Sequence, residues 1–435
     1  MALAVAIALI LLVAFATWRA HDAYGASQRL PPGSLSLRSS FDALTDPRFY
    51  ARAAAHHGPV FKMAQFHRPV TCIADLSLGL DVLERQGEKL RAPTQPFWRR
   101  SPVQLVAFLG DERHVRHRPI LGTVLTREVI GRSRDGVAAI IDAELRRAHI
   151  ASSGGVFDPR PLLDRVAFAS VCHVLFGYGP DDRRLDPMRA LITSRRFDDH
   201  GDVLAQAVAD IRASGVGVLA GFPQDQRSVL GEILRIAPHH LDDGTLLGNL
   251  ALIARVTLSN VRGVLEWTLK ELLGHPQVLG NLQVASTNAA DLAAQVVQET
   301  MRLHQSEFIY REVTGDVHVG EYRIPPGWLI RVCVREAHDD PAIFPEPGEF
   351  RPERFAGRTY ARTEYCPFSD GTHSTVGAEL TTMIAQTFVT VFARQWSGRT
   401  TNDGPIVRDA NRHWSHWRPS KQWRVTLMPR RGMLD

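Results

Sequence analysis

A glycine-framed loop, an ExxR pair and a His-x-x-x-Arg pair hold most of the residues whose types and spacing could do chemistry in this 435-residue chain. The loop is FSDGTHSTVGAEL, Phe368 to Leu380, with glycines at 371 and 377 and His373 between them. It runs into a helix, and a loop that opens a helix offers backbone N–H groups to whatever lies against it. Two residues before Gly377 stands Thr375, whose hydroxyl is not ionised near neutral pH. Glu299 and Arg302 lie one turn apart on one helix face. Exposed, such a pair is worth a few tenths of a kcal/mol. Buried, it needs further donors and acceptors, and Arg354 in FRPERF is placed to supply them. Earlier, GDERHVRHR sets His114 and Arg118 at i, i+4, so both point the same way.

The elements that must position these residues read as mainly α with minor β. A helix in AFLGDERHVRHRPILGTVL carries the His114/Arg118 pair up to Pro119, and a second, FDPRPLLDRVAFASVCHVLFG, closes on Gly177. A long helix spans about Leu246 to Leu273 and stops at GHP. AADLAAQVVQETMRLHQ carries the ExxR pair. FIYREVTGDVHVGEYRIPPGWLIRVCVREAH alternates, is rich in β-branched residues and contains Arg311, so it reads as a small sheet. Residues 339–367 are irregular and proline-rich, a helix follows the glycine-framed loop, and the tail reads as loop and hairpin.

Composition is that of an ordinary globular protein, 44% hydrophobic and 22% charged, with a formal net charge of +5. A basic surface suits acidic lipid or an acidic partner protein. No zinc-finger spacing or basic run points to nucleic acid. The four cysteines, Cys72, Cys172, Cys333 and Cys366, form no CxxC pair and read as scattered buried thiols. Residues 2–16 are 15 apolar residues in a row, with no positive charge before them and Arg19 after. This gives an expected membrane anchor at residues 1–18, a Pro-rich hinge at 19–34 and a main domain at 35–435 on the cytoplasmic side.

The order of ExxR helix, proline-rich stretch with Arg354 and Phe-x-x-Gly-x-His loop resembles the cytochrome P450 family over most of residues 30–435. The resemblance implies that fold, with Glu299, Arg302 and Arg354 as its structural triad. It implies haem, with His114, Arg118, Arg311 and His373 facing the propionates. Charge-assisted bonds to carboxylates make such a set sensible, although each member also reads as a solvated surface group. It further implies an apolar small-molecule substrate and a redox protein or partner enzyme.

The chain departs from the family in two places. Thr375 occupies the position of the haem-ligating cysteine, so no thiolate ligation and no metal-ligating residue is expected. Cys366 and His373 are the alternative ligands. The stretch over the distal face of the haem is Val256 to Val261, where Ser259 and Asn260 replace the acid and alcohol of family monooxygenases. Thr257, Ser259 and Asn260 are the expected pocket residues. The sequence therefore predicts a degenerate member that assists a partner or performs non-redox chemistry. The alternative is a haem oxidoreductase or monooxygenase with an unusual axial ligand.

Overall fold

The computed structural model describes residues 12, 29–65, 68–91, 119–193, 228–236, 245–304, 307–368, 377–408 and 416–430. The first part of the chain contains β1 (Gly33–Ser34), α1 (Leu37–Thr45), α2 (Phe49–His57), β2 (Val60–Gln65), β3 (Arg68–Ile73), α3 (Leu76–Arg85) and β4 (Leu90–Arg91). A run of helices follows: α4 (Arg127–Gly131), α5 (Arg134–Ala151), α6 (Arg160–Phe176), α7 (Leu185–Thr193), α8 (Val229–Ile236), α9 (Thr245–Gly274), α10 (Pro276–Val284) and α11 (Ala289–His304). Strands return as β5 (Ile309–Val313), β6 (Val317–Val319), β7 (Tyr322–Ile324) and β8 (Leu329–Val332), before α12 (Val334–His338). The chain ends with α13 (Ala378–Gln395), β9 (Trp396–Asn402), β10 (Val407–Arg408), β11 (Trp417–Arg418) and β12 (Arg424–Pro429).

One helical core joins α5, α6, α8, α9, α11 and α13. α6 is apolar on nearly every side, so it can be stable only when enclosed. It stops at Gly177, whose φ of 75° suits a residue without Cβ. α9 runs 30 residues through this core and ends at the Gly-His-Pro signal read from the sequence. α11 is amphipathic, and Ala293, Val296, Val297 and Met301 face inward at helical spacing.

A six-stranded sheet in the order β1-β2-β3-β8-β5-β4 forms the second layer. β3 and β8 pair in parallel, with Val70 opposite Leu329, so chain ends far apart in sequence meet here. β8 and β5 are antiparallel, with Arg311 opposite Ile330. The Pro-Pro-Gly segment is tied to the sheet edge: Lys62 Nζ donates to Pro31 O (2.6 Å) and Lys62 N to Pro32 O (2.7 Å). The end of the expected sheet, VREAH, forms α12 instead, because β8 ends at Val332 and Ala337 N bonds back to Cys333 O.

The expected membrane-anchored placement is corrected. Among the described residues no helix is long and apolar enough to cross a membrane. The longest helix, α9, carries charges that are paired inside the body: Arg262 with Asp164, Glu266 with Arg418, Lys270 with Asp403, and Glu271 with His304. The N-terminal apolar run, apart from Leu12, lies outside the described residues.

Candidate functional site

Glu299 and Arg302, on α11, are both 0% exposed. Arg302 donates twice to Glu299, Nε to Oε2 at 2.8 Å and a terminal nitrogen to Oε1 at 2.9 Å. Its remaining donors reach the carbonyls of His338 (2.9 Å) and Pro347 (2.8 Å). Arg354 Nε donates to Glu299 Oε1 at 3.0 Å, as does the backbone N–H of Arg351 at 3.0 Å. Arg354 also donates to Pro345 O (2.9 Å). Two buried cations thus share one carboxylate, and carbonyls of the proline-rich segment satisfy the surplus donors. This network satisfies the condition under which a buried pair is tolerated. It also fixes residues 339–367, the segment that leads into the glycine-framed loop.

His338, the last residue of α12, joins the same network. It is 0% exposed, and its Nε2 accepts from Cys366 N at 3.0 Å. Burial, then the Arg302 cation, pushes its pKa down to about 3. An unfolded histidine titrates near 6.5. Between those values the unfolded chain binds a proton that the native chain does not. Stability is therefore full above about pH 6.5 and falls toward pH 3 by about 1.4 kcal/mol per pH unit from this group. His338→Gln keeps an acceptor for Cys366 N and is expected to flatten this fall between pH 6.5 and 4.5, measured by urea denaturation. Glu271, lowered to about 2 by hydrogen bonds from His275 and His304 that outweigh its burial, loses its contribution below that window.

Arg311 lies on β5, half-buried, and donates to Tyr310 O at 2.8 Å. Burial lowers its pKa, and among the described residues no carboxylate pairs with it. A cation held this way favours an anionic group beside it.

The three residues expected in the distal pocket do not share one face of α9. Ser259 and Asn260 are half-buried, and Val256, one turn back, is 45% exposed. Thr257 is 1% exposed and faces Gly377, the N-cap of α13. Residues i, i+3 and i+4 share a helix face, so Val256 and Ser259 form the open side, Thr257 and Val261 the closed side, and half-buried Asn260 stands at the boundary between them. Val256 is the residue that the sequence reading missed, although its spacing from Ser259 and Asn260 could have placed it. His114, Arg118, His373 and Thr375 lie outside the described residues.

All four cysteines are buried, and none is in a disulfide. Cys366 sits in the sheet-side core beside Val334 and Ala337, with its N–H committed to His338. A groove of about 390 Å³ lies beside Phe368, between α4, α11 and α13, lined by Arg127, Arg134, Met301, Glu379 and Met383 among others.

Haem, the cofactor that the resemblance implies, can be tested against these residues. Its carboxylate rim fits Arg311, a half-buried cation with no acidic partner among the described residues. Its open face fits the Val256 and Ser259 side of α9. At Thr257 and Gly377 the two flanking helices touch, and the fit there is closed.

The family model described as Cytochrome P450 matches residues 263–422, which include the ExxR helix, Arg311, Arg354 and the glycine-framed loop. The chain is 25% identical over 401 residues to abscisic acid 8'-hydroxylase 3 of Oryza sativa subsp. indica, covering 81% of this chain and 78% of that one. It is 25% identical over 391 residues to abscisic acid 8'-hydroxylase 1 of Oryza sativa subsp. japonica, covering 81% of each. The fold superposes on the retinoic acid-bound cyanobacterial CYP120A1 with a TM-score of 0.71 at 19% identity, covering 93% of this chain and all of the other. With the Glu299–Arg302–Arg354 network buried beside its helical core, the chain matches the cytochrome P450 family model over residues 263–422, is similar to these relatives over about four fifths of its length, and has the fold of CYP120A1.

Proposed function

We propose that the protein is a haem-binding oxidoreductase acting on an apolar small organic molecule, with oxygen chemistry curtailed by Thr375. The observation that carries this reading is Arg311, whose half-buried guanidinium has no carboxylate partner among the described residues. Hydroxylase relatives support the reaction class. Bound haem would supply iron-based oxidation at this site.

The chain's own residues have the following parts. Arg311, together with His114, Arg118 and His373, would hold the carboxylates of the cofactor by charge-assisted bonds. Val256 offers an apolar contact to substrate on the open side of α9. Ser259 and Asn260 can hold water or a proton-bearing group there, but neither is a ready acid. The Glu299–Arg302–Arg354 network keeps the segment before the loop in place. A redox protein is the partner this chemistry requires. The finer reading, a protein that assists a partner enzyme without oxidising substrate itself, rests on Thr375.

The test is hemin reconstitution of the purified protein, followed by absorption. A Soret band is expected, and Arg311→Ala is expected to weaken hemin binding about 10- to 100-fold, the worth of a charge-assisted bond. Absence of a Soret band in the wild-type protein favours the assisting role. A band with unchanged affinity in Arg311→Ala removes Arg311 from the site.

A further inference from the structure

We infer that Thr257 closes the slot a flat cofactor needs, so that loading requires the middle of α9 to draw back from the first turn of α13. This rests on the haem reading above and extends it to how the cofactor is admitted. A side-chain carbon placed on Gly377 would stand 2.3 Å from Thr257 Oγ1, 3.4 Å from its Cβ and 3.5 Å from its Cγ2. Thr257 therefore sits in a hollow that only glycine leaves open. Thr257 is 1% exposed there, whereas the adjacent Val256 is 45% exposed.

A flat ring system contacts each neighbour at roughly 3.5 Å, so the surfaces on its two sides stand about 7 Å apart. Thr257 and Gly377 instead meet directly. Gly377 is also anchored in place: its carbonyl accepts from Thr381 N (2.9 Å) and Thr381 Oγ1 (2.9 Å). The first turn of α13 is thus held by its own hydrogen bonds. The element left to move is α9: Val256, next to Thr257, is 45% exposed, and Arg255 and Ser259, on the side away from Thr257, are only half-buried. Thr257 acts as a plug on the distal helix, and the slot opens when its hydroxyl and methyl leave the Gly377 hollow.

The experiment uses the full chain and hemin as the probe. Thr257→Ala removes both the Oγ1 and Cγ2 atoms while preserving helix propensity. It is expected to take up hemin about tenfold faster than the wild-type protein, followed at the Soret band. Hydrogen exchange across residues 253–261 is expected to rise on loading in the wild-type protein. Gly377→Ala forces a methyl against Thr257 and is expected to lower the Tm of the unloaded protein by about 5 °C. Combining it with Thr257→Ala is expected to recover most of that loss. Soret bands appearing at equal rates in wild type and Thr257→Ala overturn the plug and leave the haem reading intact. An unchanged Tm in Gly377→Ala also overturns it. No Soret band in any variant overturns both.

Discussion

Glu299→Ala is expected to cost about 3–5 kcal/mol of folding stability, a large share of the roughly 5–15 kcal/mol that a native domain has in total. The reason lies in what remains. Arg302 is 0% exposed and loses both bonds to its counter-ion. Arg354 loses its carboxylate, and the Arg351 N–H loses its acceptor. Arg354 is then left with carbonyl oxygens, and Arg302 with carbonyl oxygens and the distant, half-exposed Asp339 at 3.9 Å, and these under-compensated charges drive the loss. Glu299→Gln keeps the shape and one acceptor oxygen but not the charge, so it is expected to lose nearly as much. Removing Arg302 as well, as in Glu299→Gln with Arg302→Met, is expected to recover part of the loss, because the fully buried charge is gone and only Arg354, which keeps its carbonyl partners, is left without a carboxylate. Urea denaturation at pH 7 measures each variant. The mutated network also holds residues 339–367, so limited proteolysis is expected to cut first there. A Glu299→Ala protein within 1 kcal/mol of wild type, uncut in that segment, would sink this account of what holds the segment in place.

The same network explains why part of the molecule was legible in the sequence. Glu299, Arg302 and Arg354 are charged residues at fixed spacing in a helix and a proline-rich segment, and burial makes that combination recognisable. α9, α11 and α13 were legible because their apolar periodicity is local and their ends carry glycine and proline. The N-terminal strands were not. β3 is half of a parallel pair with β8, and nothing within RPVTCI reveals a partner more than 250 residues away. β9 was hidden for the same reason, since its pairing with β12 joins Trp396 to Pro429 across a long loop.

The distal stretch shows a different limit. That Val256 to Val261 lie on a long helix was legible from the Gly-His-Pro stop, but which of them are exposed was not. Whether Thr257 or Val256 faces the open side depends on which neighbour packs against each, and Gly377 decides it by leaving a hollow without a side chain. A run of 15 apolar residues looks like an anchor by composition. The membrane reading rested on a run that, apart from Leu12, lies outside the described residues, and among the described residues no helix is long and apolar enough to cross a membrane.

Thr375→Cys is expected to produce the second large effect. Hemin-loaded variant protein should give a thiolate-type spectrum in its reduced carbon monoxide complex. Electron-donor-driven oxidation of an apolar substrate is expected to rise on the order of 100-fold, equivalent to about 2.7 kcal/mol off the barrier. The reason lies at the start of α13. Its N-cap, Gly377, provides no side-chain hydrogen bond, so the first backbone N–H groups of an 18-residue helix have no cap from that residue. Such an end favours a negative charge close by and lowers the pKa of a cysteine placed there. Threonine gains little, because its hydroxyl remains un-ionised whatever the helix offers. Thr375→Ser supplies the control: it has the same donor chemistry and is expected to behave like wild type in spectrum and rate. If Thr375→Cys also resembles wild type, the surrounding residues no longer support thiolate ligation, and the assisting role gains over the oxidoreductase. If unmodified protein already oxidises substrate as fast as the cysteine variant, a hydroxyl at this position is no handicap and the chemistry must be drawn from another ligand.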